Sequence, residues 1–482
     1  MKILLCRIPS SYGVRNEHPE NIMMPVEMAS IAAIAREQGA EVDLLDLEAE
    51  PISIDALKAE VQKPYDYIVL RAKTPSFAVV KEVFSQTPAK IIGIGHLFHT
   101  KSSQIYELTD LPLLCGIKGE TDTPFRMLLQ RLVQGEPFDD VPNLIYRNAD
   151  GEIVRNPDTL LQELDELPSP DYALFDSSAY YTFYPVPFGT RRRYGFMMAS
   201  RGCPYDCSFC SPTLRNSFGK KMRFHSPERM VDDMRELQRL GKTIVHFRDD
   251  IFTVDKKYVY ALCEKMIEAD LGMKWCAQTH INCIDEDLLS AMSRAGCVSL
   301  GFGLESGSEK ILKTVMKTNK IDRAPGLVRH AKKVGIKTVC FFLVGCPGEN
   351  EDDHRLSLEL LNKTMPNLIQ VAFFTPYPGS TDYETYIGDE QSYNASLHHY
   401  NNYRMNFTEL STDAVEAFHK TMYKTWFFAP STLVHTSLSL ISDLVLNPGY
   451  FRMYLAKGSG FLMRLLKPPG LEPAPVVEDC YI

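Results

Sequence analysis

Arg201-Gly202-Cys203-Pro204-Tyr205-Asp206-Cys207-Ser208-Phe209-Cys210 places three cysteines at CxxxCxxC spacing on one short stretch. Three thiolates on one loop can each take one iron of a [4Fe–4S] cluster, which binds protein through cysteine sulfur. No fourth cysteine lies in the loop. One iron then stays open, and an open coordination position lets a metal act on a bound molecule rather than brace a fold. Two plainer readings compete: a zinc knuckle, which would want a second ligand pair, and three buried thiols gathered without a metal.

The flanking arginine, glycine and proline, and Phe209 before the third cysteine, complete a pattern that resembles the radical S-adenosylmethionine (SAM) family. The resemblance implies Cys203, Cys207 and Cys210 as cluster ligands, with the methionyl group of SAM on the fourth iron and Phe209 beside the cofactor. It further implies reductive cleavage of SAM to a 5′-deoxyadenosyl radical, which takes hydrogen from an unactivated position.

Around this loop, residues 196–385 alternate strands and helices: strands at 194–199, 243–247, 274–278, 298–302, 338–344 and 369–374, and helices such as 227–240 and 256–269. Six such units predict a partial barrel of parallel strands, whose site forms at the carboxyl ends. Four polar motifs fall there: Arg248-Asp249-Asp250, Thr279-His280-Ile281-Asn282, Gly303-Leu304-Glu305-Ser306-Gly307 and Gly345-Cys346-Pro347-Gly348-Glu349. The resemblance places Asp249 and Asp250 near the methionyl amine and Glu305, Ser306 and Gly345 along SAM, with Glu305 suited to ribose hydroxyls. A helix-capping acidic turn is the plainer reading of the aspartate pair. His280 stands where the family carries arginine and is a candidate catalytic residue, weighed against a structural histidine. Cys346 stands where an aliphatic or aromatic residue is usual, and packing is its default role.

Ahead of the barrel, residues 1–135 alternate strands at 2–7, 41–47, 67–71, 90–94 and 113–117 with helices at 25–38, 54–62, 77–85 and 123–133. Alternation of this kind predicts an α/β domain, a flavodoxin- or Rossmann-like parallel sheet covered on both faces. Ligands of such sheets sit beyond the carboxyl ends of the strands, where strand order reverses. Gly93, Gly95, His96 and Thr100 follow the fourth strand and Gly119 and Glu120 the fifth. With Met24-Pro25-Val26-Glu27 opening the first helix, they resemble the cobalamin-binding domain that precedes one branch of radical SAM proteins. Three departures stand out: Ile94 splits the usual glycine pair, Leu97 and Phe98 replace small residues, and no Asp-x-His-x-x-Gly motif supplies a ligand to cobalt.

Residues 136–195 read as a connector holding a small hairpin, a proline-stiffened strap, and a basic turn at Arg191-Arg192-Arg193 that is a phosphate contact or simply solvated. Residues 386–482 turn polar and aromatic, then helical. Near the end, Phe451-Arg452-Met453-Tyr454-Leu455 and Phe461-Leu462-Met463-Arg464-Leu465-Leu466-Lys467 mix apolar with basic side chains. A membrane surface is a candidate partner for them, and packing on the barrel accounts for them equally well. The last residues, from Pro468, read as a loose tail.

Composition bounds the rest. With 52 basic and 61 acidic residues, the chain lacks the concentrated positive charge of a nucleic-acid binder. It has no run of about 18 apolar residues, and its opening reads as a buried strand rather than a signal peptide. Its 12 scattered cysteines point to a reducing, cytoplasmic setting, and an exposed cluster to low oxygen. The expected activity is a cobalamin-dependent methyl transfer to an unactivated carbon, or phosphorus, of a small-molecule or lipophilic substrate, with a flavodoxin or ferredoxin as electron donor. Radical cyclisation, rearrangement or coupling without methyl transfer is the alternative, and a non-catalytic iron–sulfur sensor the third reading.

Overall fold

The computed structural model describes residues 1–9, 22–73, 76–99, 104–210, 218–377, 380–387 and 405–451. Thr100, residues 378–379, the aromatic stretch at 393–403 and everything from Arg452 onward lie outside them.

The first sheet contains β1 (Lys2–Arg7), β2 (Glu41–Asp46), β3 (Tyr67–Arg71), β4 (Lys90–Ile94) and β5 (Leu113–Ile117), all parallel, in the order β2-β1-β3-β4-β5. Strands buried on both faces read as continuous apolar runs, and these do. In β1, Ile3 and Leu5 enter the core under helices Val26–Glu37 and Asp122–Gln134, while Leu4 and Cys6 enter the core under Ile54–Glu60 and Phe77–Phe84. Order reverses on either side of β1, so the loops after Arg7 and Arg71 flank a crevice. The hairpin β6 (Leu144–Arg147) and β7 (Ile153–Arg155) does not stand apart as a connector. It extends the first sheet, with β6 antiparallel to β5 through Gly116 and Ile117.

The second sheet holds β8 (Tyr194–Met197), β11 (Ile244–Phe247), β12 (Lys274–His280), β13 (Cys297–Glu305), β14 (Lys337–Val344) and β15 (Leu368–Phe373), six parallel strands in chain order. They form the partial barrel. Between β8 and β11, β9 (Ser200–Arg201) and β10 (Arg223–Phe224) make a two-residue antiparallel ladder, and the cysteines sit on the loop it closes. Ser226 caps the next helix through the Arg229 amide, with Pro227 in the first turn. Helices Thr412–Phe427 and Pro430–Leu446 end the described chain, and among the described residues no helix is long and apolar enough to cross a membrane.

The two sheets share one continuous apolar core. Across it runs a buried cluster of charge. Arg201 meets Glu120 and, at 2.7 Å, Asp122, while Arg223 reaches the other oxygen of Glu120 at 2.7 Å. The Leu161 amide also donates to Glu120, at 3.1 Å. Burial disfavours charge on Arg201, but Asp122 and Glu120 outweigh it and raise its pKa. Buried pairs contribute little net stability while intact, whereas removing one partner strands the other. Glu120→Ala should therefore cost about 3–5 kcal/mol of unfolding free energy, read as a lowered urea midpoint, whereas Glu37→Ala at the exposed pair with Arg126 should cost under about 1 kcal/mol.

Candidate functional site

The cysteine loop is set by backbone constraints before any metal is considered. Gly202 has φ +103°, and a Cβ there would lie 2.4 Å from the Lys221 carbonyl oxygen, so only glycine turns the chain after Arg201. The Cys203 amide donates to the Gly219 carbonyl at 3.1 Å and the Ser208 amide to that of Val315 at 3.1 Å. The Ser208 hydroxyl donates to Asp382 at 2.9 Å. Tyr205 stacks flat on His280, with ring centroids 4.2 Å apart, and its hydroxyl lies 3.2 Å from the Cys283 sulfur.

All three loop cysteines are half-buried, and none is in a disulfide. Burial, Asp250 and Cys207 push Cys203 up to about 11, against an amide from Tyr205. The same influences, with Cys203, push Cys210 up to about 12. Thiolates this close, with a carboxylate facing them, ionise together only if a cationic centre neutralises them. Iron would do so. Among the described residues no three Cys, His, Asp or Glu side chains close on a single metal ion. A cluster instead takes one thiolate per iron and suits sulfurs that stand apart on one loop.

Each expected SAM residue has a definite place around the mouth. Asp250, at the end of β11, is half-buried and faces the cysteines; burial, then Asp249, push its carboxyl up to about 7, with Arg248 opposing. Asp249 is turned away and 2% exposed, accepting the Ala199 amide at 3.0 Å and the Ser200 hydroxyl at 2.5 Å. It braces the strand entering the loop. Glu305 ends β13 with φ +65°, a left-handed conformation costly for a side-chain-bearing residue. It pairs with Lys317 at 3.0 Å, and a Cβ on Gly303 would fall 2.7 Å from Glu305 Oε1, so that glycine makes room for the pair. Ser306 is fully buried, 3.1 Å from the Ser357 hydroxyl, and accepts the Ser308 amide. Gly345 has φ +83°; Glu349 folds back to accept its amide and that of Cys346. Cys346 is fully buried beside Ile311 and Phe374, with Phe209 packed on the same group, so its role is packing.

His280 is only 2% exposed. It accepts the Asn282 amide through Nδ1, Nε2 has no partner, and burial followed by Lys317 pushes it down to about 3. A neutral imidazole stacked on Tyr205 supports the cysteine loop from below. Lys317 is the residue that sequence reasoning missed. Burial opposes its charge, yet Glu305, Cys207 and Cys210 outweigh that and raise its pKa. It follows a short helix and Met316, itself at φ +53°, and no motif announces it.

The first sheet turns its carboxyl ends toward this mouth. Lys73 is exposed, yet burial, Arg71, Arg7 and Arg248 push it down to about 8, with Glu48 opposing. His96 is pushed down to about 4 by burial, Lys73 and Arg71, and His99 to about 3 by burial and His96; their rings lie 5.5 Å apart. Gly95 has φ +89°, and a Cβ would lie 2.7 Å from the Ala72 carbonyl; Gly119 turns at φ +72°.

The glycine crevice does not stand open. The Phe98 ring lies 2.2 Å from where a Cβ on Gly93 would be, and the Tyr106 hydroxyl, bonded to the Phe98 carbonyl at 2.8 Å, covers Gly116. Gly93 thus accommodates the chain's own phenylalanine. Glu120 has both oxygens engaged by Arg201 and Arg223, so it is a strut between the domains rather than part of the rim.

Residues 197–361 match the radical SAM superfamily. The chain is 28% identical over 399 residues to a protein of Pyrococcus horikoshii named uncharacterized methyltransferase PH0819, covering 81% of this chain and 84% of that one. It is 26% identical over 396 residues to the cytidylyl-2-hydroxyethylphosphonate methyltransferase of Streptomyces wedmorensis, covering 72% and 73%. In fold it is similar to the radical SAM methyltransferase TsrM of Kitasatospora setae, solved with cobalamin and a [4Fe–4S] cluster bound: TM-score 0.62, 16% identity, 79% of this chain and 73% of that one.

The Asp250 carboxyl carries a pH test. Its pKa is about 3.9 unfolded and about 7 in the fold. The stability it contributes is therefore fully present below the unfolded value and lost as pH rises through about 7. Asp250→Asn should make the metal-free chain more stable than wild type at pH 7.5 by about 1–3 kcal/mol, with the gain shrinking toward zero at pH 4.5 in urea titrations.

Proposed function

We propose that this chain, which carries a radical SAM domain over residues 197–361, cleaves SAM reductively and transfers a methyl group with the help of cobalamin. The observation that carries the reading is the cysteine loop: three half-buried thiols, none spent on a disulfide or a structural metal site, face Asp250 and Lys317 at the carboxyl ends of the barrel strands.

Cys203, Cys207 and Cys210 would hold three irons of the cluster, while Lys73, His96, His99, Gly95 and Gly119 would line the corrinoid. When bound, these groups supply the electron that splits the sulfonium and the methyl transfer itself, since cofactors carry the hard bond chemistry. The chain's own contribution is placement. Burial and Asp249 favour the neutral form of Asp250, and an ammonium brought beside it would favour its charged form. Lys317 sets a fixed positive charge opposite, suited to a carboxylate. Glu305 holds that lysine in place and leaves its second oxygen for hydroxyl groups. Phe209 supplies an apolar wall. Arg248, tied to Met23, and Lys73 line the passage between the two rims. The substrate would be a small molecule entering between them, and the electron would come from a flavodoxin or ferredoxin.

Two outcomes follow. After anaerobic reconstitution the chain should hold about four irons, and Cys203→Ala, Cys207→Ala or Cys210→Ala should each abolish SAM cleavage. With cobalamin, a reductant and substrate, chromatography should find S-adenosylhomocysteine together with 5′-deoxyadenosine. 5′-Deoxyadenosine alone would favour the radical cyclisation or rearrangement alternative, and neither product would leave only a sensor.

A further inference from the structure

The helix Pro430–Leu446 is inverted. Its buried positions are polar, Thr432, Ser442 and Asp443, while Leu433, Val434, Leu438, Ile441, Leu444 and Val445 are all exposed, Val445 to 75%. Val434, Leu438, Ile441 and Val445 follow one another at spacings of four, three and four, so they share one face. The one charged residue of this helix is Asp443, and it is buried. Phe428, 52% exposed, continues the apolar surface just before the helix begins. A contiguous apolar face of this kind marks a surface that meets something other than water.

The inverted orientation is enforced. Asp443 accepts from Arg192 Nε at 2.8 Å and Nη2 at 3.0 Å, with both partners nearly fully buried. Asn447 accepts the Arg192 amide at 2.8 Å and donates to the Thr190 carbonyl at 3.0 Å, and the Gly189 amide donates to Ser442 at 2.9 Å. The middle arginine of the basic turn is therefore an anchor rather than a solvated or phosphate-binding group. Rolling the helix to hide its apolar face would strand a buried guanidinium.

The surroundings select the occupant. From Leu444 to Leu471 the sequence contains Arg452, Lys457, Arg464 and Lys467 and no acidic residue, within a chain whose net charge is −9. Arg191 and Arg193 beside the anchor are exposed. His435, on the helix, is pushed down to about 4 by burial and by Lys337, Arg192 and Lys332, all cations. An apolar face with exposed Arg191 and Arg193 beside its anchor, followed in sequence by a basic stretch, matches a bilayer with anionic headgroups. The anchor precedes β8 and Lys337 opens β14, so the face lies at the amino ends of the barrel strands, opposite the cysteine loop. Docking there would leave the mouth clear.

We propose that the apolar face of helix 430–446 binds peripherally to an anionic lipid surface. The inference concerns binding alone and stands apart from the chemistry proposed above, so either can fail without the other. The test is co-sedimentation of the full chain with vesicles of phosphatidylcholine, with and without phosphatidylglycerol. Wild type should sediment with the anionic vesicles, and Leu438→Glu, Ile441→Glu, Val445→Glu combined should weaken partitioning by at least about tenfold while circular dichroism and iron uptake stay unchanged. Replacing Arg191 and Arg193 with serine leaves the helix untouched and should weaken the preference for phosphatidylglycerol. Wild type that stays in the supernatant with both vesicle types overturns the proposal. So does a dimer, detected by light scattering, that the triple variant dissociates without any lipid binding, since a second copy would then cover the face.

Discussion

The position of the cysteine loop depends on a buried cluster of four charges. Arg201 opens the loop and Arg223 closes the short ladder beneath it; Glu120 holds both, and Asp122 holds Arg201 as well. The loop is therefore not a free excursion from the barrel; its two ends are tied across the domain interface. An ion cluster of this sort adds little net stability, because desolvation offsets most of the attraction. Its value lies in geometry, since any slide of one domain against the other would separate buried charges.

With that joint fixed, the carboxyl ends of both sheets confront each other. On one side stand Arg71, Lys73, His96 and His99, and on the other Asp250, Lys317 and the cysteines, with Arg248 between them. Charge alternates between them: Arg71 and Lys73 beside two neutral histidines, a carboxylate beside the thiols, then a lysine paired with Glu305. The left-handed backbone at Glu305 and the glycine at 303 that clears space for it are the local expense of holding that last pair in place.

Much of this was legible in the chain itself. Alternating apolar runs predicted every strand of both parallel sheets to within three residues at their carboxyl ends, because strands buried on both faces leave an unmistakable pattern. The hairpin was legible as a hairpin, but not as an extension of the first sheet, since edge pairing between distant segments leaves no local mark. Within the site, motif residues were found where strands end, but not which way each side chain turns. Asp249 and Asp250 are neighbours in sequence with opposite fates, one spent on Ala199 and Ser200, the other facing the thiols. Ser306 and Glu120 were likewise drawn into hydrogen bonds from elsewhere in the fold. Lys317 was invisible because only the folded chain brings it against Glu305, twelve residues earlier.

The central claim is that three thiols on this loop leave one iron of a cluster open to SAM. Electron paramagnetic resonance of the anaerobically reconstituted, reduced chain, recorded before and after SAM is added, tests it most directly. The account predicts a [4Fe–4S] signal whose line shape changes on addition; a chain that takes up no iron, or a signal that SAM leaves unaltered, would contradict it.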